Sequence, residues 1–353
     1  MRIRFKNIVL IFLATVGLSA CMKDNEWVDS HRNVNLMTKG LYIINEGNFM
    51  YGNSTLSFYN PTTRKVENDL FYTINGLPLG DVAESMVIRG NLGYIVINNS
   101  GKIYVIDATS GKYTGKITGL TSPRYIHFIN DEKSYITDLY AGKITIANPK
   151  TEQITGVIRT PGHASTEQMV QWNDFLFVSC WSFDNTILVI DTRTDMVVDS
   201  IKTGKQPAGL VLDKFNKIWT LCDGGWSKNG ITDRTPMLQR IDPSTRTIEK
   251  SFSLTSDAAP SRLAINGTGD SLLFINNGVW KHGVTQASLS ERPFLVTGNH
   301  LYYSLAIDPL TSELYLSDAI DYQQHGIIYR YSSLGTKIDS FKTGIIPGSF
   351  CFK

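Results

Sequence analysis

Residues 102–111, KIYVIDATSG, form an alternating apolar run that stops at Asp107 in a Thr-Ser-Gly turn. Alternation of this kind places every second side chain on one face of a strand, and an Asp at the end accepts hydrogen bonds from the turn it opens. The same line recurs along the chain. LSFYNPTT turns at Asn60, ITIANPKT at Asn148, ILVIDTRT at Asp191 and LQRIDPST at Asp242, with a degenerate copy, IYRYSSLG, at Ser332. Turns from Asn60 to Asp242 lie 47, 41, 43 and 51 residues apart, and the next 90 residues to Ser332 hold two steps, with one weak copy near Thr285.

Two further lines precede each copy. One is LYIINEG, GYIVINN, SYITDLY, FLFVSCW, IWTLCDG, LLFINNG and LYLSDAI. The other is ESMVIRG, YIHFIND, QMVQWND, GLVLDKF, RLAINGT and SLAIDPL, and its seventh copy, SFCFK, ends the sequence. Seven units of four short strands, separated by Gly, Asn, Asp and Pro turns, predict an all-β fold: a seven-bladed β-propeller over residues 40–353. The first unit lacks its innermost strand. Residues 345–353 supply one, so the C-terminal strand is expected to close the ring and remove its exposed edges.

The N-terminal residues point to export. Arg2, Arg4 and Lys6 precede an apolar run, Ile8 to Val16, and then Leu18-Ser19-Ala20-Cys21. The run is too short to span a bilayer and has the layout of a signal peptide, here residues 1–20. Leu18-Ser19-Ala20-Cys21 resembles a bacterial lipobox, which makes Cys21 the expected lipid attachment site, and residues 21–39 read as an acylated, polar tether. The whole chain carries a formal charge of +2, so loss of the three N-terminal cations leaves the mature chain near −1, with no basic footprint for nucleic acid. Cys180, Cys222 and Cys351 sit in apolar runs and read as buried small hydrophobes.

Successive strands run up and down, so turns alternate between two faces. One face collects stereotyped polar turns, such as Gly90-Asn91, Asn173-Asp174 and Asp191 to Thr194. The other collects second-strand loops and blade connections rich in aromatic and amide groups. From the loops come Glu46, Phe49, Tyr51, Asn98, Tyr140, Trp181, Phe183, Trp226, Asn276 and Tyr322. From the connections and the adjoining strand starts come Glu84, Arg124, Tyr125, Gln168, Arg262, Tyr302 and Tyr303. Flat aromatics among neutral donors and acceptors suit a large, partly apolar ligand decorated with amides or hydroxyls.

Catalytic signatures are missing from the sequence. There is no HExxH, no CxxC, no GxSxG elbow and no Gly-rich phosphate loop ahead of a helix. The chain is therefore expected to bind rather than catalyse, with no metal and no enzymatic cofactor.

The strands IYVIDATSGK and ILVIDTRTDM, with KTGKQPAGLVLD after the latter, resemble the YncE-like surface-layer propellers. The lipobox, the tether with Lys23, Asp24 and Glu26, and LYIINEGNFMYGNSTLSFYN in the first unit resemble the BtuG type of Bacteroidetes surface lipoprotein. That resemblance implies a cobalamin or related corrinoid as ligand and a TonB-dependent outer-membrane transporter as partner. It also implies a lipid-anchored place in the outer membrane facing the cell exterior. Two alternatives stay open. One is a glycan- or protein-binding propeller of another surface complex. The other is a lactonase-type enzyme, with a divalent ion held by Glu84, Glu167, Asp223 and Asp321 at the central opening.

Overall fold

The computed structural model describes Leu36, residues 39–225 and residues 235–353. The signal segment, Cys21, nearly all of the tether, and Trp226 lie outside the described residues. Asn33–Lys353 form one compact unit.

Seven antiparallel sheets follow one another along the chain. The first pairs Leu41–Asn45 with Thr55–Asn60 and Lys65–Glu67. Its innermost strand is Pro347–Phe352, which runs antiparallel to Leu41–Asn45 with Leu41 opposite Phe352 and Ile44 opposite Ser349. The expected ring closure is therefore present. Blades 2 to 5 and blade 7 are four-stranded and consecutive in sequence, with inner strands Ala83–Arg89, Pro123–Phe128, Met169–Trp172, Pro207–Leu212 and Tyr302–Ile307.

Blade 6 departs from the expected four strands. It has three, Ser261–Ile265, Ser271–Ile275 and Val279–Gly283. The chain after Gly283 returns to the open edge only at Val279, where the Phe294 amide donates to the Val279 carbonyl at 2.7 Å and the Val279 amide to the Leu295 carbonyl at 2.8 Å. Pro293, which has no amide hydrogen to donate, stands just before this single bridge. A second departure is a six-residue helix, Leu70–Asn75, that follows the short outer strand of blade 1; its buried Phe71 stacks on Tyr104 of blade 2.

The repeated Asp or Asn has the turn role expected of it. Oδ1 of Asn60, Asp107, Asn148 and Asp242 accepts from the backbone amide two residues on, at 2.8–2.9 Å. Packing explains why no single core runs through the domain. Each of seven buried apolar clusters lies between neighbouring blades: Ile144 and Tyr135 of blade 3 meet Leu176 and Leu188 of blade 4, and Leu41 and Tyr59 of blade 1 meet Tyr315 and Ile328 of blade 7. The three cysteines among the described residues, Cys180, Cys222 and Cys351, are free and buried.

One cluster contains a polar group with no outlet. His282 is fully buried against Trp219 and Phe252, with ring centroids 5.5 and 4.7 Å away, and neither ring nitrogen has a hydrogen-bond partner. Burial, with a smaller push from Lys250, lowers its pKa from 6.5 to about 4. The folded state thus binds this proton less readily than the unfolded chain. The stability tied to His282 is full above pH 6.5 and is lost as the pH falls toward 4, by about 3 kcal/mol at most. In urea titrations at pH 7 and pH 4, His282→Leu is expected to lose less stability on acidification than the parent. Equal losses would refute the role of His282.

Candidate functional site

The inner strands all begin on the same face, and most begin irregularly. In six blades the ladder slips at this end: between Ala83 and Ser85, Pro123 and Ile126, Pro207 and Gly209, Ser261 and Ala264, Tyr302 and Ser304, and at Pro347 opposite Asn45. In blade 4 the Glu167 amide donates to the Ser179 carbonyl while the Ser179 amide donates to the Gln168 carbonyl, again two residues against one. A bulge leaves a residue without a ladder partner and re-aims its side chain. The residues released in this way are Glu84, Arg124 with Tyr125, Glu167 with Gln168, Ala208, Arg262, Tyr303 and Gly348.

These residues meet across blades. Arg124 of blade 3 bridges two neighbours: its Nη1 lies 2.5 Å from Glu84 Oε2 of blade 2, and its Nε lies 2.9 Å from Glu167 Oε2 of blade 4. Arg262 of blade 6 lies over the Tyr303 ring at 5.1 Å and reaches Glu46 Oε1 at 3.7 Å. The Tyr303 hydroxyl donates to Glu46 Oε2 at 2.9 Å. Gly348 is the small residue that admits this carboxylate, because a Cβ there would stand 1.9 Å from Glu46 Oε1.

Three carboxylates thus share two guanidiniums, and all five groups are largely withdrawn from water. Burial raises Glu46 to about 7, with Glu84 adding to the rise and Arg262 opposing it. Burial raises Glu167 to about 7 as well, with Arg124 opposing and Glu84 adding. Burial also lifts the Tyr125 hydroxyl to about 12. The surplus carboxylate makes the cluster ready to hold a proton near neutrality.

Beside the cluster opens a pocket of about 400 Å³, whose walls include Arg124, Gln168, Trp181, Arg262, Tyr303 and Tyr322. Its aromatic walls are held in place. The Trp181 indole donates to Asp223 Oδ2 at 2.8 Å, and Tyr322 meets Tyr303 edge to face at 5.8 Å. Tyr322 itself holds a φ of +62°, uncommon for a bulky residue, and the Asn48 side chain grips its carbonyl at 2.6 Å.

Eight of the expected site residues line this pocket: Arg124, Tyr125, Gln168, Trp181, Arg262, Tyr302, Tyr303 and Tyr322. Glu46 and Glu84 stand in the charged cluster behind it. Phe49, Tyr51, Tyr140 and Phe183 are 61–79% exposed and do not line the pocket. Asn98 is buried instead of facing solvent; its amide donates to the Pro123 carbonyl at 3.1 Å and accepts from Ser122 at 3.1 Å, tying blade 2 to blade 3. Asn276 accepts from the Ala259 amide at 3.2 Å and ties its hairpin loop to the connection that enters blade 6. Tyr302 is mostly core, with its hydroxyl 3.1 Å from that of Tyr331. Trp226 lies outside the described residues.

The contrast between faces is narrower than the sequence implies. Exposed apolar side chains occur on the turn face too, such as Leu310 and Leu334, and it is aromatic residues that concentrate on the pocket face. Glu167 and Asp223, expected only as metal ligands of the enzyme alternative, also line the pocket, as do Ala208 and Ser261, which the sequence does not single out. Their shared signal is position, at strand starts or hairpin loops of the repeat, rather than residue type. Among the described residues the four acids of the metal-enzyme alternative do not form one metal-ligand group. Glu84 and Glu167 share Arg124, Asp223 holds Trp181, and Asp321 caps its own turn by accepting from Gln323 and Gln324.

Fold and pocket together define a seven-bladed β-propeller with its cleft at the mouth of the central axis. Within that class, the chain belongs to the family described as "Domain of unknown function (DUF5074)", which it matches over residues 39–345. No curated protein matches the sequence. Among solved structures, a quinonprotein alcohol dehydrogenase-like protein from Bacteroides thetaiotaomicron is similar with a TM-score of 0.69 at 15% identity, covering 91% of this chain and 79% of that one. The periplasmic gluconolactonase of Pseudomonas aeruginosa is similar with a TM-score of 0.65 at 12% identity, covering 88% and 99%. Kuenenia stuttgartiensis hydrazine synthase reaches 0.61 at 14%, covering 76% and 89%. At these identities the likeness is one of fold.

Proposed function

We propose that this protein is a non-catalytic capture protein that binds a corrinoid on the pocket face and passes it to a TonB-dependent transporter. In this reading Cys21 carries the lipid anchor and the propeller faces the cell exterior from the outer membrane. The observation that carries the proposal is the cleft itself. Trp181, Tyr303 and Tyr322 offer flat apolar surface, while Arg124, Gln168 and Arg262 offer donors and acceptors between them. A corrin is a broad plate fringed by amides: an edge of the plate enters the pocket, and its face rests on the aromatics.

Titration calorimetry of the full chain in detergent with cyanocobalamin tests the reading. Trp181→Ala is expected to weaken binding roughly tenfold to a hundredfold, at 1.4 kcal/mol per decade, as a buried aromatic anchor does. Asn173→Ala, in a turn on the opposite face, is expected to leave it unchanged. Absence of both heat and a melting-temperature shift at about 100 µM ligand rejects the corrinoid and favours a glycan or protein ligand.

A further inference from the structure

His163, Cys180 and Asp184 are separated in sequence by 17 and 4 residues and carry no spacing that signals a metal. The fold brings them together. Their ligating atoms all lie within 4.8 Å of one another, and among the described residues they are the one group of this kind. We propose that these three side chains form a binding site for a divalent transition metal, zinc by preference, on the pocket face of blade 4.

Each ligand is placed by backbone that is already organised. Cys180 ends the strand Phe175–Cys180 and is fully buried at the floor of the site. Asp184 lies in the hairpin loop that follows, where its amide donates to the Trp181 carbonyl at 3.1 Å and its carbonyl accepts from the Gln206 amide at 2.7 Å. His163 sits in the connection from blade 3, in a turn where its amide donates to the Thr160 carbonyl at 3.0 Å and its carbonyl accepts from the Thr160 hydroxyl at 2.9 Å. The imidazole Nδ1 and Asp184 Oδ2 are hydrogen-bonded at 2.6 Å, a contact that an ion would replace by ligating both, and the two side chains are 20% and 15% exposed, so an ion has a route in from solvent. A site assembled on fixed backbone has little ordering cost to meet when the ion arrives.

The donor set decides the metal. Thiolate and imidazole select zinc and its neighbours over calcium and magnesium, which require oxygen cages. Three protein ligands leave the fourth tetrahedral position open to water or to a ligand atom. The Lys202 ammonium is engaged elsewhere, donating to the Thr186 hydroxyl at 2.9 Å. A thiol loses its proton on binding, so uptake releases a proton and strengthens with pH. The loop tied down by the ion carries Trp181, but the metal site stands on its own geometry and not on the corrinoid reading.

The test uses the full chain in detergent, stripped with a chelator and titrated with zinc chloride and, separately, cobalt chloride. One ion per chain is expected, with a raised melting temperature and, for cobalt, a thiolate-to-metal absorption band in the near ultraviolet. Cys180→Ser is expected to remove that band. His163→Gln and Asp184→Asn, at partly exposed positions that are safer for folding, are expected to weaken zinc at least about tenfold. Failure to take up zinc, cobalt bound without the band, or affinity unchanged in His163→Gln and Asp184→Asn would each overturn the proposal. None of these outcomes bears on cyanocobalamin binding.

Discussion

Deleting residues 345–353 is expected to abolish cooperative folding. The strand Pro347–Phe352 covers the whole inner edge of Leu41–Asn45, whose Tyr42, Ile43 and Ile44 are fully buried. Its loss removes a row of ladder hydrogen bonds, at about 1 kcal/mol each, and exposes apolar surface at the joints with blades 2 and 7. The total is on the order of the whole 5–15 kcal/mol that holds a typical domain together. The truncated chain also presents a long unpaired edge, which favours aggregation. Gly40 and Lys353 already exchange backbone hydrogen bonds at 2.9 and 3.4 Å. A circular permutant that joins residues 346–353 through a short turn to Gly40 is therefore expected to fold. Calorimetric unfolding of both forms decides the matter: a sharp transition for the truncated chain at the parental temperature would contradict ring closure.

Arg124→Met is expected to produce the next largest effect, a loss of stability whose size depends on pH. The guanidinium is the shared partner of Glu84 and Glu167, both about 5% exposed. Without it two carboxylates face each other in a buried site, and breaking a buried pair from one side costs about 3–5 kcal/mol. Glu167 already has its folded pKa raised to about 7 from 4.5. A group raised in this way contributes stability that is complete below pH 4.5 and is lost as pH rises through the folded value. Removing Arg124, which opposes that rise, lifts the folded value of Glu167 further, so the deficit is expected to be full at pH 8 and to shrink toward pH 5. Adding Glu167→Gln is expected to recover part of it at pH 8. Urea titrations at the two pH values check this, and a deficit identical at both would mean that the carboxylates are not its source.

The same cluster separates what was legible in the sequence from what was not. The propeller could be read directly, because it is built from local rules repeated seven times. Alternation in KIYVIDATSG sets a strand, Asp107 or its equivalent sets the turn, and the orphan SFCFK is a copy of the inner-strand line that the first blade lacks. Export and a lipid-bearing Cys21 rest on order and charge in residues outside the described ones, and remain part of the proposal. The pocket residues were legible in kind, since loops rich in Tyr, Trp and Arg stand out against polar turns.

Their arrangement was not legible. Asn98 and Tyr140 carry the same local signal of a polar or aromatic residue in a second-strand loop. One is buried as a tie between blades, and the other is 71% exposed. Glu167 looks like any acid in a connection until the fold sets it 2.9 Å from an arginine of the preceding blade. The bulges that release Glu84, Arg124 and Tyr303 depend on cross-strand register, and the grouping of His163, Cys180 and Asp184 depends on where a blade connection crosses a hairpin. Strand and turn preferences act over a few residues, so sequence by itself determined the blades and their number. Charge pairing, burial and ligand geometry at the axis arise between side chains some 40 residues or more apart, and only closure of the ring decided them.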